Sequence, residues 1–165
     1  MLINLNDIFE TQKILDATIH KKHQVSYKKV FAELKLALLV ELGELANEVR
    51  SFKFWSIKLA SEKKIILEEY VDGIHFITSI CIYLKVGSSL QIKLPRAATY
   101  TKKQITNTIN KLFSLACNLT TKQKVKKYYE QYLSLAFMLG FNFEDIKHAY
   151  FRKNQINFQR QKESY

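Results

Sequence analysis

Apolar residues recur at intervals of three and four along most of the chain, the spacing that places them on one face of an α-helix. The strand-like alternation of apolar and polar residues is weak and confined to SLQIKL. The pattern therefore predicts an all-α bundle of about six helices. These are expected at about 3–22, 28–51 and 61–84, after Thr101, from 120–123 to Gly140, and from Phe143 to about Glu163.

Capping residues and helix breakers support these boundaries. Ser61 is expected to be the N-cap of the third helix, and Asn142 that of the sixth. The sequences TKKQ and TTKQ are expected to form capping boxes at the starts of the fourth and fifth helices. The stretch KVGSSLQIKLPRAATY contains Gly87 and Pro95 and predicts the one long loop.

The composition is that of an ordinary globular protein. Hydrophobic residues make up 47% of the 165 positions and charged residues 25%, which predicts one domain over residues 1–165. No apolar run approaches the roughly 20 residues of a membrane span, and MLINLNDIFE does not resemble a signal peptide. Cys81 and Cys117 have apolar neighbours and are expected to be buried, reduced thiols, which predicts a cytoplasmic protein.

The chain carries a formal net charge of +11, from 26 basic and 15 acidic residues. Such an excess suits an anionic partner, such as nucleic acid, an acidic lipid or a polyphosphate. Charge alone does not choose among these partners.

Acidic residues interrupt two of the apolar helices. Glu41, Glu44 and Glu48 share one face of the second helix, and Glu69 and Asp72 share a face of the third. In antiparallel neighbouring helices, Glu41 and Glu44 would face Glu69 and Asp72, and a divalent cation such as Mg²⁺ or Mn²⁺ would stabilise that cluster. The alternative is two ordinary solvated helix faces. Gly43 and Gly73 lie beside these carboxylates and are expected where backbone or ligand approaches closely.

Polar residues also form short patterns on the first and last helices. Lys153, Asn157 and Arg160 follow one another at spacings of four and three, a stripe of donors that suits phosphate oxygens or simply faces solvent. Gln12 and Asp16 are four residues apart among apolar neighbours. They either bind the edge of a base or form a surface pair.

Four long segments together resemble the dimeric, all-α dUTP diphosphatases, which are related to the MazG-type nucleotide pyrophosphatases. The segments are ETQKILD, LALLVELGELANEVRSFKFWS, ILEEYVDGIHFITS and LGFNFEDIKHAYFRKNQINFQRQ, and they occur in the family's order. The resemblance implies a helical homodimer that hydrolyses dUTP, and also dUDP, to dUMP with Mg²⁺. Attack on the β-phosphorus, as in this family, would explain the use of the diphosphate.

The resemblance also implies roles for individual residues. It assigns the metal to four carboxylates, of which Glu41 also positions or deprotonates the attacking water: Glu41, Glu44, Glu69 and Asp72. The base and sugar would contact Gln12, Asp16, Trp55, His75 and Phe76. The phosphates would contact Lys53, Lys153, Asn154, Asn157 and Arg160.

The chain departs from the family at its end, where Ser164 precedes Tyr165 in place of the usual glycine. Two alternatives to dUTP hydrolysis also remain open. The same metal site would serve another nucleotide such as dCTP, because only the base contacts distinguish the two substrates. A basic helical module that binds nucleic acid would use the lysine-rich stretch TKQKVKKYY, although no known nucleic-acid-binding motif is evident.

Overall fold

The computed structural model describes residues 1–92 and 99–163. Six helices and one small antiparallel sheet make up this part of the chain. The predicted all-α fold is confirmed. The helices are α1 (Asn6–His23), α2 (Phe31–Val49), α3 (Lys63–Tyr83), α4 (Lys102–Ala116), α5 (Lys122–Met138) and α6 (Phe143–Lys162), and the strands are β1 (Leu2–Asn4) and β2 (Ser89–Gln91).

The chain begins with a strand, so the prediction that the first helix starts near residue 3 is wrong. Leu2 pairs with Gln91 and Asn4 with Ser89, and Ile3 between them is buried. Three residues are too few to show an alternation in the sequence. Ser89–Gln91 form β2 inside the predicted loop, so the loop prediction is wrong there, where the weak alternation in SLQIKL begins. Residues 93–98 of the predicted loop lie outside the described residues.

Side-chain caps fix the starts of α4 and α6. Thr101 forms a complete capping box with Gln104, and Asn142 forms one with Asp145, as the sequence predicts for these two caps. Ser61 is not the cap of α3, because Glu62 occupies that position. The Ser61 hydroxyl instead donates a hydrogen bond to the Glu48 carboxylate, and its N–H donates to the Glu48 carbonyl, which ties the end of α2 to the start of α3.

Tyrosines on α3 and α5 bring these two helices into close contact. The hydroxyl of Tyr70 donates to the carbonyl of Tyr132, that of Tyr132 donates to the carbonyl of Tyr70, and their rings stack 4.7 Å apart. A methyl group on Gly73 would lie 2.2 Å from the Tyr132 hydroxyl oxygen, so Gly73 does mark a close approach, although by a side chain rather than by the expected backbone or ligand. Around Gly43 the described residues place no atom within 4 Å of that position, so the protein itself makes no such approach there.

Helix α3 lies at the centre of the bundle, in contact with α1, α2, α5 and α6. Its cysteine, Cys81, is buried as predicted. Cys117 is exposed, contrary to prediction, because it follows the last residue of α4 at the surface. No described helix is both long and apolar enough to cross a membrane.

Candidate active site

Three carboxylates converge where α2 and α3 lie side by side. The contact between Ser61 and Glu48 joins the end of α2 to the start of α3, so the two helices run antiparallel. Residues earlier in α2 therefore face residues later in α3. Glu41, Glu69 and Asp72 each contribute one oxygen to a group in which all the oxygens lie within 4.8 Å of one another.

The fourth predicted ligand lies beside this group rather than in it. Glu44 is exposed, although it is close enough for its charge to act on Glu41, Glu69 and Asp72. Glu48, which shares its helix face, is bonded to Ser61 instead. The sequence pattern thus predicted the face correctly, but it did not separate the three converging side chains from their neighbours.

The carboxylates disfavour one another's ionisation. Burial, and then the charges of Asp72, Glu44 and Glu69, raise the pKa of Glu41 to about 7. Burial is also the largest cause of the raised pKa of Glu69 and of Asp72. A cation among these oxygens would remove the repulsion, and hard carboxylate oxygens are the ligands that Mg²⁺ and Mn²⁺ prefer.

One cation already reaches this cluster from α6. The ammonium nitrogen of Lys153 lies 2.6 Å from Asp72 Oδ2, in a contact that is largely shielded from solvent. Its charge lowers the pKa of Asp72, but burial outweighs it and the net shift is upward. A single ammonium therefore compensates the cluster only in part.

The cluster borders a cavity of about 400 Å³ between α1, α2, α3 and α6. Glu41 and Asp72 line one part of it, and Lys153, Asn157 and Arg160 line it from α6. Apolar residues from α1, α2 and the segment between them form another wall: Leu15, Ile19, Val25, Val30 and Leu34. A charged end beside an apolar wall is the arrangement that a nucleotide, with its phosphates and its base, requires.

A second cavity, of about 580 Å³, lies between α4 and α5. Lys111, Lys127 and Glu130 are among its lining residues. It includes none of the three converging carboxylates, so the smaller cavity is the better candidate for metal-assisted chemistry.

Buried polar side chains form a hydrogen-bonded group at the other end of the smaller cavity. Gln12 and Asp16, both on α1, are bonded to each other at 2.8 Å, and Gln12 also bonds Ser79 and His75 of α3. Gln12 is 3% exposed and Asp16 6%. The interpretation of Gln12 and Asp16 as a surface pair is therefore wrong.

His75 is neutral in this environment. Burial, and then the positive charge of Lys153, lower the pKa of His75 to about 3. Its Nδ1 lies 2.8 Å from Gln12 Oε1, which only accepts hydrogen bonds, so Nδ1 carries the proton. Nε2 is then an acceptor, and it is buried without a partner among the residues that the structure describes.

A protein-family model described as dUTPase matches residues 4–165. The chain belongs to this dUTPase family. Its reaction is accordingly the hydrolysis of dUTP, and the resemblance identified in the sequence is confirmed. No curated protein matches the chain.

Two residues that the resemblance assigns to the dUTPase site do not line this cavity. Lys53 and Trp55 follow α2, whose last residue, Val49, is eight positions or about 12 Å beyond Glu41. The Trp55 side chain is 65% exposed and contacts Phe52 and Phe54. The other predicted residues of the tail do lie at or near this cavity, with Asn154 buried beneath the lining residues of α6.

Sequence reasoning missed three side chains of the hydrogen-bonded group around Gln12 and Asp16. Ser79 lies one helical turn after His75, and that spacing alone indicates a shared face. Tyr150 stands within a segment that resembles the family, but no pattern distinguished it from core aromatics. Tyr27 lies in the connection between α1 and α2, where no periodicity predicts a partner. Ser164 and Tyr165 lie outside the described residues.

Proposed function

We propose that the protein hydrolyses dUTP and dUDP to dUMP in the cavity between α1, α2, α3 and α6, with Mg²⁺ as its cofactor. The observation that carries the proposal is the convergence of Glu41, Glu69 and Asp72 at one end of a cavity whose other end is lined by buried hydrogen-bonding groups. Family membership gives the substrate. The donor set gives the class of metal ion.

The carboxylates of Glu41, Glu69 and Asp72 would hold the metal, with Glu44 completing the set by a change of side-chain rotamer. A bound divalent cation would lower the pKa of a coordinated water and neutralise charge that develops on the phosphates. Mn²⁺ would suit the same oxygen ligands.

Glu41 would position the attacking water and accept its proton. Its pKa of about 7 in the absence of a cation suits a group that exchanges protons near neutral pH. Water would add to the β-phosphorus, and the bond from that phosphorus to the oxygen bridging to the α-phosphorus would break. The products are dUMP and pyrophosphate from dUTP, or dUMP and phosphate from dUDP.

The donor stripe of α6 would bind the phosphates that the carboxylates repel. Lys153 and Arg160 supply positive charge, and Asn157 supplies an amide that can donate to a phosphate oxygen. Lys153 would transfer from Asp72 to a phosphate when a divalent cation takes its place. Asn154 is buried behind this stripe and would support it.

The base and sugar would occupy the opposite end of the cavity. Asp16 lines that end and is bonded to Gln12, so its carboxylate is available near a base edge. The bare Nε2 of His75 would accept a hydrogen bond from the 3′-hydroxyl of the deoxyribose. Phe76 would contact the sugar face that lacks a 2′-hydroxyl.

We propose that the active form is a homodimer. Apolar side chains are exposed along the segment after α2, with Ile57 102% and Phe54 93% exposed, and Leu36 and Val40 continue this surface on α2. A second copy of the chain would cover it. Lys53 and Trp55 would then reach the partner's nucleotide, which explains their distance from the cavity of their own chain.

The oligomeric state tests this surface directly. Ile57→Glu should give a monomer by analytical ultracentrifugation, while Ile14→Glu, an equally drastic change at an exposed position of α1, should stay dimeric. A wild-type monomer, or two dimeric variants, would contradict the proposed interface.

The reaction is tested by incubating purified protein with dUTP, dUDP, dCTP, dTTP and UTP, with Mg²⁺ and with EDTA. We expect dUMP from dUTP and dUDP, and only with the metal. Preferential turnover of dCTP would overturn the base assignment, and turnover in EDTA would overturn the metal assignment. Absence of turnover, together with metal-independent and salt-sensitive DNA binding, would favour the nucleic-acid module.

A further inference from the structure

The side-chain amide of Gln12 has no hydrogen-bonding capacity left for a ligand. Its nitrogen donates to Asp16 Oδ1 at 2.8 Å and to Ser79 Oγ at 3.2 Å. Its oxygen accepts from Tyr150 at 2.7 Å and from His75 Nδ1 at 2.8 Å. A primary amide has two hydrogens and two lone pairs, and all four are used.

Among the described residues, the neighbouring carboxylate of Asp16 keeps one free acceptor. Oδ1 of Asp16 accepts from Gln12 and from Ser79, the latter at 3.0 Å. Oδ2 accepts from the Tyr27 hydroxyl at 2.6 Å, which leaves one lone pair of that oxygen. Asp16 lines the cavity, so this lone pair is the acceptor that a base can meet.

Tyr27 is itself held in place by aromatic contacts. Its ring meets His20 edge-on at 4.5 Å and stacks on Tyr83 at 5.9 Å. Tyr27 lies in the connection between α1 and α2, whereas the other partners of Asp16 lie on helices. Its hydroxyl therefore holds Oδ2, the oxygen of Asp16 that is bonded by no helical residue among those the structure describes.

We propose that Tyr27 is a specificity-determining positioning residue that turns Asp16 so that one acceptor faces the base, while Gln12 supports Asp16 and does not contact the base. This inference rests on the proposed function. It differs from what the resemblance implies, because Gln12 was expected to read the base edge directly.

A single fixed acceptor selects a base that presents an N–H group. Uracil offers its N3–H, whereas the corresponding nitrogen of cytosine carries a lone pair that a carboxylate repels. A methyl group on N3 of uracil removes the donor and adds bulk. Selection should therefore act on this one atom of the ring.

Tyr27→Phe tests the proposal, because it removes the hydroxyl and keeps the ring contacts. We expect KM for dUTP to rise roughly tenfold with kcat within about twofold, and the preference for dUTP over dCTP in kcat/KM to fall roughly tenfold. Tyr83→Phe removes a hydroxyl from the ring stacked on Tyr27 and is the matched control, with no change expected.

A measurement on the wild-type protein avoids any effect of mutation on folding. 3-Methyl-2′-deoxyuridine should bind at least about tenfold more weakly than 2′-deoxyuridine in calorimetry, and Tyr27→Phe should reduce that ratio. Equal binding of the two nucleosides, or Tyr27→Phe kinetics equal to those of Tyr83→Phe, would overturn the role of Tyr27. Failure of wild-type protein to hydrolyse dUTP would instead overturn the proposed function.

Discussion

Where we propose that the base binds, every hydrogen-bonding atom of the Gln12 amide has a partner, whereas at the proposed phosphate end three carboxylates face one another and Lys153 bonds only one of them. Buried polar groups with complete hydrogen bonding are rigid, while buried like charges require a further cation. The proposed base end is therefore preorganised in the absence of substrate. The proposed phosphate end would be completed by the cation and the phosphates that bind to it.

The largest effect should come from Glu41→Gln, which keeps the shape of the side chain and removes the proton acceptor. We expect kcat to fall roughly a thousandfold, as for the loss of a general base. The melting temperature should not fall, because the variant relieves repulsion within the cluster. Glu68→Gln makes the same change at an exposed position of α3 and should stay within about twofold of wild type. Equal activities of the two variants would remove Glu41 from the mechanism.

Alanine substitutions at the two glycines beside the carboxylates test how closely the protein packs around each position. Gly73→Ala would bring a methyl group to 2.2 Å from the Tyr132 hydroxyl oxygen, and we expect a loss of about 1–3 kcal/mol of unfolding free energy. Gly43→Ala meets open space, and the better helix propensity of alanine should stabilise the protein by up to about 1 kcal/mol. Urea denaturation measures both. If Gly73→Ala had the higher unfolding free energy of the two variants, α3 and α5 would not be packed as closely as described.

Lys153→Met tests the contribution of α6 to the phosphate end. Methionine keeps most of the apolar stem but loses the charge, so we expect KM for dUTP to rise roughly tenfold, the value of one charge-assisted hydrogen bond. Lys162→Met, at an exposed position of the same helix, is the control and should leave KM unchanged. If both variants behave alike, general positive charge rather than the cavity attracts the nucleotide.

The smallest expected effect is the pH dependence of the stabilisation by Mg²⁺. The pKa of Glu41 in the folded protein, about 7, lies above its ordinary 4.5, so ionisation of Glu41 destabilises the metal-free fold as pH rises between these values. A divalent cation binds the ionised form. Mg²⁺ should therefore raise the melting temperature by a few degrees more at about pH 8 than at about pH 5. In Glu41→Gln, the rise in melting temperature caused by Mg²⁺ should differ less between the two pH values. If the difference persists, a group other than Glu41 is titrating.

Periodicity predicted the helices well because it is a local property of the sequence. Capping residues predicted the starts of α4 and α6 but not those of α3 and α5, where Glu62 and Thr121 are the N-caps. Thr101 and Asn142 cap α4 and α6 as expected. The periodicity places the start of the first helix at about residue 3 and does not predict β1, because the partner of β1 lies more than 80 positions away. Ser61 was misread for a similar reason, since its hydroxyl bonds a carboxylate of the preceding helix.

The candidate site was predictable where its residues share a helix face. Glu41, Glu69 and Asp72 follow from spacing and from the antiparallel packing of α2 and α3. Tyr27 could not be predicted, because its contact with Asp16 depends on the path of an irregular connection. Which of the neighbouring carboxylates converge depends on rotamers, which spacing does not determine.

Calorimetry of two ligands, with and without metal, tests the contrast between the two ends most directly. The ligands are 2′-deoxyuridine, which fills only the base end, and the non-hydrolysable α,β-imido analogue of dUTP. Replacing Mg²⁺ by EDTA should reduce the affinity for the triphosphate analogue roughly a hundredfold and change the affinity for deoxyuridine by less than about twofold. If the affinities of the two ligands depended equally on the metal, or if neither did, the contrast between the two ends would be contradicted. The base end would then not be preformed, or the phosphate end would not need a cation.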